Sequence, residues 1–172
     1  MKKSTIILLW SAVTSIIYII FYELTNNPDN PNKAFGWIGY LIFLTGLIIG
    51  TFQYRKANGG FLTFSEGYKA GLLMTLVIAV VLTVHYYIYL QVHPDLPGKL
   101  LEKVQEQIAN QNIPADKLES AMKIYGIMFR PTVMIIIGFL VSILTGALLS
   151  LLSAGISTRK KPFFDAENTD LQ

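Results

Sequence analysis

The chain has 172 residues, of which 52% are hydrophobic and 15% charged, and its formal net charge is +3. A soluble domain carries about a quarter charged residues; here the mean hydropathy is +0.47 and the apolar residues gather into four blocks of about 20, the length that crosses a bilayer core, which excludes a soluble globular domain and a disordered chain. With no cysteine, disulfides, thiolate nucleophiles and Cys-built metal sites are excluded, and basic residues placed at the ends of the blocks, not on one face, exclude a nucleic-acid surface.

The first block runs from Ser4 to Leu24, behind Met1-Lys2-Lys3. A secretory signal would have an apolar stretch of about 7–15 residues and a small-residue cleavage site. This run is longer, and Phe21-Tyr22-Glu23-Leu24 offers no such site, so the block reads as a membrane helix over 4–24. A loop of turn formers, Thr25-Asn26-Asn27-Pro28-Asp29-Asn30-Pro31-Asn32, leads to a second helix expected over 35–54, which stops at Arg55-Lys56. Asn58-Gly59-Gly60 then reads as a tight turn with positive φ, and Glu66 as an acid stabilising the start of a third helix over 67–90.

About 40 residues of different composition follow. His93-Pro94-Asp95-Leu96-Pro97 breaks the third helix, and Leu100, Leu101, Val104 and Ile108 then recur on one face, with Lys99, Glu102, Lys103 and Glu106 on the other. Asn110 to Ile113 interrupts the pattern; Pro114 starts a second amphipathic helix whose stripe is Leu118, Ala121, Met122 and Tyr125. This predicts a helical hairpin over 94–129. A fourth membrane helix is expected over 131–156, with Pro131 in its first turn, where a missing N–H is least costly. Arg159-Lys160-Lys161-Pro162 ends it, and 157–172 reads as a polar tail.

Charge asymmetry sets an orientation. Lys2 and Lys3, then Arg55, Lys56 and Lys69, then Arg159, Lys160 and Lys161 all flank one side, whereas the first loop carries only Lys33. By the positive-inside rule both termini and the Arg55 loop are cytoplasmic. The connection from Gln91 to Arg130 holds five basic residues balanced by five acids, and only Arg130 sits directly at a span end, where the bias counts. Tyr86, Tyr87, Tyr89, Tyr18, Phe21, Tyr22, Trp37 and Tyr40 all fall at the expected outer interface, where amphipathic rings collect.

Small residues carry helix association in lipid, because burying Leu against Leu gains little over acyl chains. The fourth helix has a ridge at spacing four, Gly138, Ser142, Gly146, Ser150 and Ala154; the third has Gly67, Gly71, Thr75, Ala79 and Thr83. Gly46 and Gly50 add a GxxxG pair on the second helix, and Ser11 and Ser15 a shorter one on the first. The third and fourth helices are therefore expected to pack closely.

Chemistry-bearing residues are few. Glu23, Glu66 and Lys69 lie at span ends and His85 one turn inside, so the central depths carry no charge, which counts against ion-coupled transport. His85 and His93 lie about two turns apart and do not share the i, i+4 geometry of a helical metal pair. No serine elbow, phosphate loop or paired intramembrane carboxylate is present, so neither an enzyme nor a cofactor is expected.

The stretch Tyr54-Arg55-Lys56-Ala57-Asn58-Gly59-Gly60-Phe61-Leu62-Thr63-Phe64-Ser65-Glu66-Gly67-Tyr68-Lys69-Ala70-Gly71, with four spans and a His93-Pro94 exit from the third, resembles an uncharacterised bacterial membrane family, domain of unknown function 4199. The resemblance implies a four-helix bacterial inner-membrane protein and no established activity, cofactor or catalytic residue. The expected architecture is thus all-α: one integral membrane domain over 1–172, a four-helix bundle with an extracytoplasmic amphipathic hairpin. Its expected role is a non-catalytic scaffold or accessory subunit, with a small transporter or channel component as the alternative. Arg55, Lys56, Phe64, Glu66 and Lys69 are candidates for contact with lipid or a partner, and residues 97–124 for docking a membrane or extracytoplasmic protein.

Overall fold

The computed structural model describes residues 2–25, 33–109 and 115–161. Their regular structure is helical: α1 (Lys3–Thr25), α2 (Lys33–Ala57), α3 (Phe64–Val92), α4 (Leu96–Ala109), α5 (Ala115–Met128) and α6 (Pro131–Ser157). Among the described residues there is no strand, only an isolated antiparallel bridge between Leu62 and Arg159. α1, α2, α3 and α6 are long and apolar enough to cross a membrane. They occupy the four segments expected, and each is slightly longer than the apolar run alone. The expected first loop at 26–32, the interruption at 110–113, the Pro114 start and the tail from 162 lie outside the described residues.

The chain divides into two compact units, one up to Val81 and again from Ser142 onward, the other Leu82–Val141. In the first unit the helix interiors are built from small and hydroxyl side chains. Ser11, Thr14, Ser15, Thr51, Thr75, Ser150, Ser153 and Ser157 are all buried, alongside Leu47, Met74, Ile78 and Ala79. The outward faces carry Leu8, Ile16, Leu41, Leu73, Leu148 and Leu152, all exposed. This inversion of the soluble pattern is what a lipid solvent requires, since apolar surface facing acyl chains carries no penalty.

Glycines set the distances. A Cβ on Gly71 would stand 2.9 Å from Ser150 Cβ, and one on Gly67 3.4 Å from the Ala154 backbone. One on Gly146 would overlap Thr75 and lie 2.9 Å from Phe43 Cζ. α3 and α6 thus meet at Gly67 with Ala154, Gly71 with Ser150 and Thr75 with Gly146, stepping four residues along each helix in opposite directions. Gly46 abuts the Thr14 side chain, joining α2 to α1, and Gly50 abuts Met74 of α3. Gly138 departs from the expected ridge: a Cβ there would meet nothing within 4 Å, so no neighbour requires its missing side chain. Ser142, the ridge residue between Gly138 and Gly146, is half-buried.

In the second unit α3 ends where Pro94 supplies no N–H to continue it. His93 N–H gives the last bond, to Tyr89 O at 2.9 Å, and the His93 ring stacks on Tyr89 with centroids 4.3 Å apart. Tyr86 stacks on the same tyrosine, which is buried. α4 follows, with Asp95 before its first turn. The Lys99 ammonium, 2.8 Å from Asp95 Oδ2, holds that carboxyl below its usual range. α4 buries Leu96 and Ile108, and α4 and α5 touch each other. α5 half-buries Leu118, Ala121, Met122 and Tyr125 and displays the exposed i, i+4 pair Glu119–Lys123 at 2.8 Å. It also leaves Ile124, Ile127 and Met128 exposed, an apolar flank outside the expected stripe.

The glycine contacts predict opposite signs for one chemical change. Gly146→Ala should destabilise by about 1–3 kcal/mol, because the new methyl overlaps Thr75 in a packed interior. Gly155→Ala, on the same helix with open space around its Cβ, should gain about 0.5–1 kcal/mol from helix propensity. Thermal or denaturant midpoints in one detergent check this, and equal shifts for both variants would count against the packing.

Candidate functional site

In the first unit the start of α1 and the exit from α6 converge on the turn between α2 and α3. The last turn of α2 closes with Asn58 N–H bonded to Tyr54 O and Arg55 O, both at 3.0 Å, and Gly60 N–H to Arg55 O at 3.0 Å. This reversal puts Gly59 at φ +73° and Gly60 at φ +85°, a region that L side chains rarely adopt. A Cβ on either glycine would meet nothing within 4 Å, so conformation and not space requires glycine. Asn58 Nδ2 donates to Phe61 O at 2.9 Å, and its Oδ1 accepts from the Lys3 ammonium at the start of α1.

Leu62, 1% exposed, then pairs with the chain leaving α6. Its N–H donates to Arg159 O at 2.9 Å, and Arg159 N–H returns a bond to Leu62 O at 2.8 Å. The Arg159 guanidinium stands over the Phe61 ring at 6.0 Å. Immediately after this bridge, Thr63 and Glu66 form a capping box that starts α3 three residues before the expected position. Glu66 Oε2 accepts from Thr63 N–H and Thr63 Oγ1, both at 2.9 Å, while Glu66 N–H reaches back to Thr63 Oγ1 at 3.3 Å.

Arg55 caps the other helix end. Its Nη1 donates to Ser157 O at 3.1 Å, where a cation meets the negative end of the helix dipole, and the guanidinium lies 4.4 Å from the Phe52 ring centroid. One turn deeper, Thr51 Oγ1 lies 2.9 Å from Leu47 O and 3.0 Å from Ile48 O, and 2.8 Å from both Ser153 Oγ and Ser157 Oγ. A hydroxyl has one proton. With that proton directed at its own helix, Thr51 accepts from the two serines. The same logic holds above it: Ser150 Oγ donates to Gly146 O at 2.7 Å, so the Thr75 hydroxyl, 3.2 Å away, donates to Ser150. Ser11 Oγ donates to Ile7 O at 2.7 Å and reaches Met74 O at 3.3 Å. Among the described residues no buried side-chain nitrogen or oxygen lacks a partner.

Of the five residues expected to meet lipid or a partner, Arg55 and Glu66 are engaged in capping helices. Lys56 and Lys69 are exposed, and Phe64 is 47% exposed and stacked with Tyr68. The pattern of residues does not disclose the contact of Lys3 with Asn58 or the bridge of Leu62 with Arg159, nor the Thr51–Ser153–Ser157 cluster. Ser150, Ser153 and Ser157 recur at i, i+3 and i+7, and that spacing alone could have marked a second polar seam on α6.

Four long apolar helices whose small and hydroxyl residues face inward define a helical membrane protein. Residues 4–159 match the family model described as protein of unknown function, DUF4199, and the chain belongs to that family. Neither the curated proteins nor the solved structures contain a match to it.

The hydroxyl cluster yields a test. Thr51→Val keeps the shape and removes the acceptor of two serines, and should destabilise by about 0.6–1.7 kcal/mol, the range of interhelical hydrogen bonds in membrane bundles. A double-mutant cycle with Ser153→Ala should give a coupling of about 0.5 kcal/mol or more in a denaturant titration. Strict additivity would show that the two hydroxyls do not interact.

Proposed function

We propose that this protein is a four-span bacterial inner-membrane protein with both termini cytoplasmic. In this reading the inner end is the Lys3–Asn58–Arg159 region, and α4 and α5 form a hairpin on the extracytoplasmic side. Its role is that of a non-catalytic scaffold or accessory subunit that presents the hairpin to a membrane or extracytoplasmic protein. The observation that carries this reading is the flank of α5: Ile124, Ile127 and Met128 stand exposed beside the solvated Glu119–Lys123 pair. An amphipathic surface of that kind gains from covering its apolar half. Support also comes from the interior of the first unit, whose hydroxyls bond one another and the backbone. They act as helix-joining groups.

The absence of cysteine makes the topology directly measurable. Single cysteines at Asn58 and at Ser120 should react oppositely with a membrane-impermeant thiol reagent applied to intact spheroplasts. The Ser120 position should label, and the Asn58 position only after lysis. Labelling of the Asn58 position in sealed cells would overturn the orientation. For the role, photo-crosslinkers at Ile124 and Ile127 should capture one and the same protein, and Ile127→Asp should abolish capture from position 124. Unchanged capture in that variant, combined with solute flux through liposomes holding the chain, would favour a transporter component.

A further inference from the structure

The inner end gathers cations in numbers that capping does not account for. Within residues 2–3, 55–69 and 159–161 stand eight lysines and arginines against one acid, Glu66. That carboxylate is held by Thr63 N–H and Oγ1, with Lys3 close enough to act on it electrostatically. Three chain segments bring their charge to one eight-residue turn, 55–62. Lys3 meets it at Asn58, Arg159 at Phe61 and Leu62, and Arg55 and Lys56 belong to it. Lys3, Lys56 and Arg159 are exposed. Between the Lys3 and Arg159 contacts lie Gly59 and Gly60, whose Cβ positions face open space, so an anion can approach the backbone there.

Beside this charge lies apolar surface. Phe64 is 47% exposed, and Leu152 and Ile156, on the last turns of α6 before Arg159, are 56% and 55% exposed. A soluble anion would use the cations alone; a phospholipid uses both, headgroup on the charge and acyl chain along the apolar side chains. We propose that the 55–62 turn, with Lys3 and Arg159, seats the phosphate of an anionic phospholipid of the inner leaflet, its acyl chain lying toward Leu152 and Ile156. The proposal rests on the membrane-spanning reading above. Bound there, the lipid links the start of α1, the α2–α3 turn and the exit from α6, three segments whose like charges otherwise repel.

The test uses the full chain in a neutral detergent, with its thermal midpoint followed after adding phosphatidylglycerol, phosphatidylcholine or inorganic phosphate. Phosphatidylglycerol should raise the midpoint by about 5 °C more than phosphatidylcholine. The Lys3→Gln/Arg159→Gln variant should lose that increment, and Lys123→Gln, a charge change on α5, should keep it. Equal shifts from the two lipids, an increment surviving in the double variant, or one reproduced by inorganic phosphate would each overturn the lipid seat. If the double variant unfolds in phosphatidylcholine, salt decides: about 1 M NaCl should erase the wild-type increment, and an increment unmoved by salt overturns the proposal. Release of the chain from membranes by alkaline carbonate would defeat the membrane-spanning reading itself. Retention in the membrane without a phosphatidylglycerol preference defeats only the lipid seat.

Discussion

The close approach of α3 and α6 is the constraint on which the first unit depends. In hydrocarbon the hydrophobic effect that collapses a soluble core is absent, so association must come from van der Waals contact and hydrogen bonding at short range. Gly71 opposite Ser150 and Gly146 opposite Thr75 bring the two helices to a distance that a larger side chain would prevent. The contacts also fix register. The chain neighbours of Ser150 are Leu149 and Leu151, and Gly71 is followed by Leu72; a one-residue slide would press a leucine into a space that excludes a methyl group. The remaining two helices attach to this pair, α1 through Ser11 on the Met74 carbonyl and α2 through Thr51 on Ser153 and Ser157.

Hydroxyls are suited to this task because they are satisfied whether or not the helices meet. Ser11, Thr14, Ser15, Thr51 and Ser150 each donate to a carbonyl one turn back in their own helix. A helix alone in lipid therefore exposes no orphaned donor. When two such helices approach, the spare lone pairs become acceptors across the interface. Each such bond is modest, and repetition along the seam supplies the strength. An asparagine or a charged group in these positions would bind its neighbour more strongly but would stand unsatisfied in any separated state, at a far larger penalty.

Much of this was legible in the residues. Runs of about 20 apolar residues give the long helices without ambiguity, and small residues at spacing four on α3 and α6 mark the faces that meet. Gly59-Gly60 foretells the positive-φ turn, and Glu66 its role at the start of α3. What escaped was pairing between segments about 100 residues apart, which leaves no periodic trace: the Leu62–Arg159 bridge and the Thr51 cluster are products of where the helix ends arrive. Gly138 shows the opposite error, since spacing alone credits every member of a ridge, whereas only approach in space makes a glycine necessary. On α5 periodicity admits more than one stripe: Ile124 and Met128 follow Ala121 at i+3 and i+7, so spacing alone does not tell the half-buried face through Leu118 and Met122 from the exposed flank.

Arg55 shows how one residue meets two demands that sequence statistics treat as alternatives. As a cation at the C-terminal end of α2 it is one of the basic residues whose asymmetry the positive-inside rule reads. The same guanidinium, lying across Phe52, donates to the last carbonyl of α6. Orientation needs only the charge; the cap needs the forked donor and its reach. Lys56, one residue later, supplies charge without the cap and stands exposed. The basic residues around the α2–α3 turn thus separate by physical role: Arg55 belongs to the helix ends it ties together, and Lys3 and Arg159 clasp the turn while keeping their charge at the surface. A region whose backbone is fixed by mutual hydrogen bonds, and whose charge remains outward, holds its cations in place before any anion arrives, so binding there would forfeit little conformational entropy.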